Sequence, residues 1–416
     1  MKYRSLFHFQ SILIMIFVGC SPSQPLSTEK ARAAQQARLD ADQQARVASE
    51  NVIIGSEEDQ RTKIQEERAR IIAKRRADFE LNAKPTIGLT VVPTMLDKIT
   101  ADSSWCGSFQ LVWNDMKNEV VKQDIVFDPQ EEMAANLNME QFTDKMISKE
   151  YYYKKYGLKT LELKDEIERG IKSKFNHTSN IMGNFDWSDK GLNDPNDPFL
   201  DRYFFYAMLY RKFEYLTEFD KLDKGKFGSK HDGIEYFGID RNTSRLAKNQ
   251  ITVLYYNSKD DFAIEIHTKS NDVVIFCKNP QGGNFKEIYD NMNRKSKEYT
   301  GDKYFKNIDE FKAPNLAFNV IREYTELQGK RFKTAYKEDE DWEGEITQAI
   351  QTIKFSLNEI GGEIISEVAI NIMVAQAAIV KPRFFHVDDT FAIFLKENGQ
   401  PLPYFAGKIT DISKFQ

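Results

Sequence analysis

The sequence predicts an α+β fold of mixed, mostly antiparallel sheets with surrounding helices, preceded by a helical N-terminal spacer. Three stretches carry that prediction. "QITVLYYNSKDDFAIEIHTKSNDVVIFCKN", residues 250–279, is a set of short β-branched runs divided by turn residues, the pattern of antiparallel strands. "FKEIYDNMNRKSKEY", residues 285–299, repeats its apolar positions at helical spacing. Between Pro25 and Glu80 the chain is rich in Ala, Gln, Arg and Glu, all strong helix formers, whereas aromatics concentrate past Pro85.

Composition excludes several classes. The chain has 416 residues, is 41% hydrophobic and carries 30 Phe and 18 Tyr, too apolar and aromatic for a disordered protein. Three Cys are too few for a disulfide scaffold, and 21 Gly with 12 Pro too few for a fibrous one. A net charge of -5 from interspersed signs leaves no basic footprint, so no nucleic-acid partner is expected.

Residues 1–20 read "MKYRSLFHFQSILIMIFVGC". Lys2 and Arg4 start a mostly apolar run from Leu6 to Val18, shorter than the roughly 20 residues of a membrane span and built like a secretory signal. Gly19-Cys20 at its end resembles the bacterial lipobox, with Phe17 where a Leu-like residue is usual. That resemblance implies a lipoprotein signal peptide over 1–19, acylation of Cys20 (palmitate) and a lipid-anchored, extracytoplasmic place in the cell envelope, at the bacterial cell surface. The alternative is an ordinary secretory signal cut near Cys20. Cys106 and Cys277 then remain, either as a pair or as two buried free thiols, and neither lies in metal-ligand spacing.

Residues 20–84 form the spacer. Val47 and Ile54 are seven apart, as are Ile64 and Ile71, but the intervening core positions are polar, so no coiled coil is expected. A helical rod broken at Gly55 and a flexible tether both fit. Residues 85–416 read as one domain. "ELKDEIERGIKSKFN" is a helix; "DRYFFYAMLYRKFEYL" has helix-like spacing, with a buried strand as the alternative. "DEFKAPNLAF", "AIQTIKFSL", "IISEVAINIMV", "TFAIFLKEN" and "PYFAGKI" read as strands.

No constellation supports an enzyme. His8, His177, His231, His267 and His386 are scattered, with no H-E-x-x-H, G-x-S-x-G or phosphate loop. His267, near a strand end, reads as structural. Asp186 to Asp197 has Gly191 and Asp197 where a calcium loop wants them, but Lys190 fills a coordinating position and repels a cation. It reads as a surface loop, and no metal or cofactor is expected.

The C-terminal half carries a resemblance. Glu359, Gly361 and Glu363 match an "E-x-G-T-E" hinge; Phe385, Asp388, Phe391 and Phe394 match "F-x-A-D-x-P-F-x-F", with Thr390 for the proline; Phe405, Gly407 and Lys408 match "F-x-G-[RK]-[VI]". With "EFKAPNLAFN" and "FFYAMLYRKFEYLTEFDK" upstream, their order and spacing over about residues 201–409 resemble the serpin family. The family's N-terminal "S-P-x-S-I" is missing. The resemblance implies a protease inhibitor whose exposed loop is cleaved and then inserts into the main sheet. It implies a hinge of Glu359, Gly361, Gly362, Glu363, Ile364, Ile365 and Ser366 and a reactive bond at Ala375-Gln376, suited to elastase-, subtilisin- or papain-like pockets. The expected partner is thus a serine or cysteine protease, met by a monomer.

The residues of this segment also read on their own. Ile353, Phe355 and Leu357 alternate with Lys354, Ser356 and Asn358, the period of a half-buried strand, and Gly361-Gly362 permit a turn. Ile364, Val368, Ile370 and Ile372 then share one face. Burying four such side chains at about 1.5 to 3 kcal/mol each would drive strand insertion. Against this, Ile364, Ile365 and Glu367 stand where inhibitory members carry Thr and a run of Ala, and bulk should slow insertion. The apolar run 368–380 is also unusual for an exposed loop. The alternative function is therefore a non-inhibitory, serpin-like binding or structural surface lipoprotein.

Overall fold

The computed structural model describes residues 36, 43, 62–63, 86–179, 181–187, 202–240, 245–334, 342–361 and 381–416. The chain divides into units Met1–Arg75 and Arg76–Gln416. In the first, Gln36, Gln43, Thr62 and Lys63 are helical and exposed. Cys20 lies outside the described residues, as do residues 188–201, which take in most of the Asp186–Asp197 loop.

In the second unit the largest sheet has seven strands. In spatial order these are β1 (Thr90–Val92), β2 (Ser103–Cys106), β17 (Phe405–Ile409), β16 (Phe391–Glu397), β9 (Asp272–Lys278), β8 (Asp261–His267) and β7 (Ile251–Ser258). Only the β1–β2 pair is parallel. A four-stranded sheet runs β15 (Phe384–His386), β10 (Glu310–Pro314), β6 (His231–Ile239), β5 (Asp220–Phe227), with β15 parallel to β10. Three antiparallel ribbons complete the described strands: β3 (Tyr152–Leu158) with β4 (Tyr203–Leu209), β11 (Leu316–Glu323) with β14 (Ile350–Leu357), and β12 (Lys330–Thr334) with β13 (Trp342–Ile346). The α+β class is thus observed, and strands form within each of the expected stretches 250–279, 309–318, 349–357, 390–398 and 403–409, while the stretch expected over 364–374 lies outside the described residues.

The stretch "FFYAMLYRKF", read with helix-like spacing, is instead strand β4. Its side chains alternate: Phe204 and Tyr206 are buried, while Tyr203 and Phe205 are half-exposed. Aromatic residues favour a pleated surface over a helix, where their χ1 freedom is lost against the preceding turn. The buried-strand alternative is the one the chain adopts.

Helices α1 (Ser108–Asp115), α2 (Glu132–Asn138), α3 (Leu161–Phe175), α4 (Arg245–Lys248) and α5 (Phe285–Glu298) surround the sheets. In α3, Leu163, Ile167 and Ile171 recur every four residues and form its buried stripe, packed with Phe204 and Tyr206 of β4. Thr160 caps its start, accepting from Leu163 N at 3.1 Å, and Asn176 ends it in the left-handed region. α5 begins in a reciprocal cap: Asn284 Oδ1 accepts from Glu287 N at 2.8 Å while Glu287 reaches back to Gly283 N at 2.7 Å.

Aromatic rings weld the two large sheets together. Phe311 of β10 lies 5.9 Å from Phe276 of β9 and 5.2 Å from Phe219, and all three are buried. Cys106 and Cys277 are both buried and free, which settles their alternatives as two thiols. Desolvation pushes the Cys277 thiol up to about 11 and also raises Cys106. Neither thiol is therefore expected to react with a maleimide in the native protein, and both should do so once unfolded, as mass spectrometry of labelled chains would read. His267 sits at the end of β8 with Nε2 3.1 Å from Thr252 Oγ1, a structural role.

Candidate functional site

Strand β14 carries the hinge. Gln351, Ile353, Phe355 and Leu357 are buried while Lys354 and Ser356 are exposed, the half-buried alternation expected of it. At the strand's start Gln351 is pinned from below: its Nε2 donates to Cys106 O at 3.1 Å and Ser108 Oγ at 3.0 Å, and Oε1 accepts from Tyr324 OH at 2.7 Å. These bonds tie β14 to the first turn of α1, which also packs against β4. Every donor and acceptor of that side-chain amide is placed, so β14 is held in one register on its support.

Past Leu357 the chain turns. Asn358 Oδ1 accepts from Ile360 N at 3.0 Å and its carbonyl from Gly361 N at 3.3 Å. Gly361 has φ +81, and a Cβ there would stand 2.7 Å from Tyr215 N and 2.8 Å from Glu214 Cα. Both the dihedral and the close backbone approach require glycine. Gly361 forms an antiparallel bridge with Glu214. Ile360 O accepts from Tyr215 N at 3.4 Å, and Glu359 O from Phe219 N at 3.0 Å.

The receiving turn is itself fixed. Gln250 bonds both sides of Thr217, accepting from its N at 2.9 Å and donating to its O at 2.8 Å. Lys269 binds Glu214 through its main-chain N–H at 2.8 Å and its ammonium at 3.3 Å. The buried Glu359 carboxylate meets Lys221 Nζ at 3.2 Å. Desolvation, with the Glu359 charge second, holds the buried Tyr215 hydroxyl well above its ordinary value, so it stays protonated.

β4 pairs with β3 and β14 with β11, and among the described residues no ladder joins β4 to β14. The Glu214–Gly361 bridge joins the segments that follow these two strands. Gly362, Glu363, Ile364, Ile365, Ser366, Ala375 and Gln376 lie outside the described residues, which end at 361 and resume at 381. Of the expected hinge, the structure places Glu359 and Gly361, and it adds Glu214, Tyr215, Phe219, Lys221 and Gln250, which sequence reading did not single out.

At residue 383 the chain is clamped again. Arg383 Nε and Nη2 reach Asp309 Oδ2 at 3.1 and 2.6 Å, its main-chain N–H reaches Asp309 Oδ1 at 3.0 Å, and Nη1 reaches Asp302 O at 2.7 Å. This fork holds β15 beside β10. Downstream, Phe385, Phe391 and Phe394 are buried, and Asp388 bonds Lys278 at 2.7 Å and Lys312 at 3.2 Å. Burial acts to raise the Asp388 pKa, but the two ammonium groups outweigh it and hold the carboxylate below its usual range.

No protein-family model and no curated protein matches the chain. Solved structures do. One is Serpin48, a highly specific serpin in the insect Tenebrio molitor, at 14% identity over 63% of this chain and 75% of that one, with a TM-score of 0.37. Another is thyroxine-binding globulin in complex with thyroxine, at 13% identity over 64% and 77%, with a TM-score of 0.36. The residues that drew the resemblance flank segment 362–380 in the chain: Glu359 and Gly361 before it, Phe385 and Asp388 after it.

Proposed function

We propose that this chain is an extracytoplasmic, serpin-like inhibitor of a serine or cysteine protease, acting by cleavage of segment 362–380 and insertion of its first part beside β14. The observation that carries this reading is the seam: β4 and β14 are both tied to α1 with no ladder between them among the described residues, and the segments that follow them are joined by the Glu214–Gly361 bridge and the Tyr215 and Phe219 amides. A strand growing from Gly361 would have β14 and β4 as neighbours. The protease nucleophile would be acylated at the Ala375 carbonyl as the Gln376 amine leaves. Insertion would then carry the acyl-enzyme away from the reactive site before water reaches it.

A second reading has its own support. Gly361 is already bridged to Glu214, and the bulky Ile364, Ile365 and Glu367 follow. A seated hinge with slow insertion suits a non-inhibitory binding lipoprotein. Melting before and after a single cut within 362–380 separates the two. The inhibitory reading expects a rise of more than about 10 °C, since a new ladder strand and several buried aliphatic side chains are gained. An unchanged or lowered melting temperature favours the binding reading. In either case we propose anchorage through an acylated Cys20, tested by loss of radiolabelled palmitate on Cys20→Ser.

A further inference from the structure

A charged cluster outside the seam is buried more deeply than any ion pair at the hinge. Arg211 follows β4 by two residues and is 3% exposed in its side chain. Its Nε donates to Asp272 Oδ2 at 2.7 Å, Nη1 to Glu397 Oε1 at 2.5 Å and Nη2 to Ser270 O at 3.1 Å. Asp272, at the start of β9, is 0% exposed, and Glu397, at the end of β16, is 6% exposed. The guanidinium lies 3.3 Å over the Tyr151 ring. Tyr404 OH donates to Asp272 Oδ1 at 3.3 Å and Ser270 Oγ to Asp272 Oδ2 at 3.0 Å. Ser148 donates to both Glu397 oxygens, at 2.8 and 2.9 Å.

The groups facing this centre are thus one guanidinium, two carboxylates and two phenols, with Glu150 a further negative charge beside Tyr151. Of the lysines close in sequence, Lys269 is engaged by Glu214 and Lys212 lies over the Tyr210 ring, while Lys396 adjoins Glu397 and Lys149 adjoins Ser148. Two buried carboxylates against one cation leave an excess negative charge where water does not screen it. One proton would balance the set and end the repulsion between Asp272 and Glu397. Desolvation, with the Glu397 charge adding to it and Arg211 and Ser270 opposing it, leaves the Asp272 pKa above its ordinary value. The folded chain therefore holds that proton more firmly than the unfolded chain does. By linkage the cluster contributes more stability as the pH falls from neutral, through the raised folded value toward 3.8.

The cluster's position gives this a consequence at the hinge. Arg211 stands three residues before Glu214, the residue that bridges Gly361, and donates to the carbonyl of Ser270, whose neighbour Lys269 donates its main-chain N–H to Glu214 O, so the cluster abuts the receiving turn. We propose that Arg211, Asp272 and Glu397 form a proton-operated latch: uptake of one proton tightens the β4 exit and, with it, the seat of the hinge. This does not depend on whether segment 362–380 inserts.

Hydrogen exchange of the Tyr215 and Phe219 amides in the full chain reads the latch, because those N–H groups bond Ile360 O and Glu359 O. After correction for intrinsic exchange, protection in the wild type should rise severalfold as the pH falls from about 7.5 toward 3.8, the direction set by a proton held more firmly in the folded chain. Asp272→Asn and Glu397→Gln each remove the excess charge while keeping a hydrogen-bonding side chain, so both should show high protection at both pH values. The double variant strands Arg211 and should lose protection at both. Protection that changes with pH equally in the wild type and in either single variant would overturn the latch, as would single variants that exchange fast at neutral pH.

Discussion

Replacing Arg211 with methionine is expected to destabilise the fold by about 3–5 kcal/mol, the cost of leaving buried charge without its partner. Methionine fills much of the volume and can still lie on the Tyr151 ring, so packing is largely kept. Asp272 and Glu397 would retain only hydroxyl and main-chain donors. Calorimetry should show the loss at neutral pH and a smaller one in acid, because protonation removes the stranded charges. The sign follows from the same linkage: Asp272 without its cation has its folded pKa raised further above its unfolded one, so stability returns as the pH falls. An unchanged melting temperature at neutral pH would show that the cluster is not what holds the β4 exit.

The second large effect belongs to Gly361→Val. A side chain at φ +81 is strained by itself, and a Cβ standing 2.7 Å from Tyr215 N cannot be accommodated without moving one of the two backbones. The Ile360 and Glu359 carbonyls would then lose the Tyr215 and Phe219 amides. A cost of about 2–4 kcal/mol is expected from strain and lost bonds together, confined to the hinge. Exchange of the Tyr215 and Phe219 amides should therefore accelerate far more than that of β7 to β9. A uniform acceleration across all strands would mean that the bridge is an integral part of the core rather than a local seat.

Much of this architecture was legible in the sequence wherever a single element buries a single face. Leu163, Ile167 and Ile171 announce α3, and Phe285, Ile288, Tyr289 and Met292 announce α5, because helical spacing alone places them inside. Ile353, Phe355 and Leu357 announce β14 by alternation. β4 was harder, because its run of aromatic residues fits helical spacing nearly as well as alternation. What decides it is the ladder with β3, about fifty residues away.

The hinge divides in the same way. Glu359 and Gly361 could be found, since a glycine pair after an alternating strand marks a turn. Glu214, Tyr215 and Lys221 could not, since nothing local in "FEYLTEFDK" says which distant carbonyls its amides meet. Arg211 was hidden in "DRYFFYAMLYRKFEYL", where nothing local marks one arginine among the aromatic residues as buried. Its burial arises only when the ends of β4, β9 and β16 converge. The fate of Cys106 and Cys277 was open for the same reason: thiol pairing depends on which strands become neighbours.

The most direct test of the proposed function mixes the protein, from about Pro85 onward, with elastase-, subtilisin- and papain-like proteases and resolves the products on denaturing gels. The inhibitory reading expects a band at the summed mass of protease and cleaved chain that survives denaturant, with a released peptide beginning near Gln376. Complete cleavage within 362–380 that yields only fragments and fully active protease would contradict it and favour the binding reading.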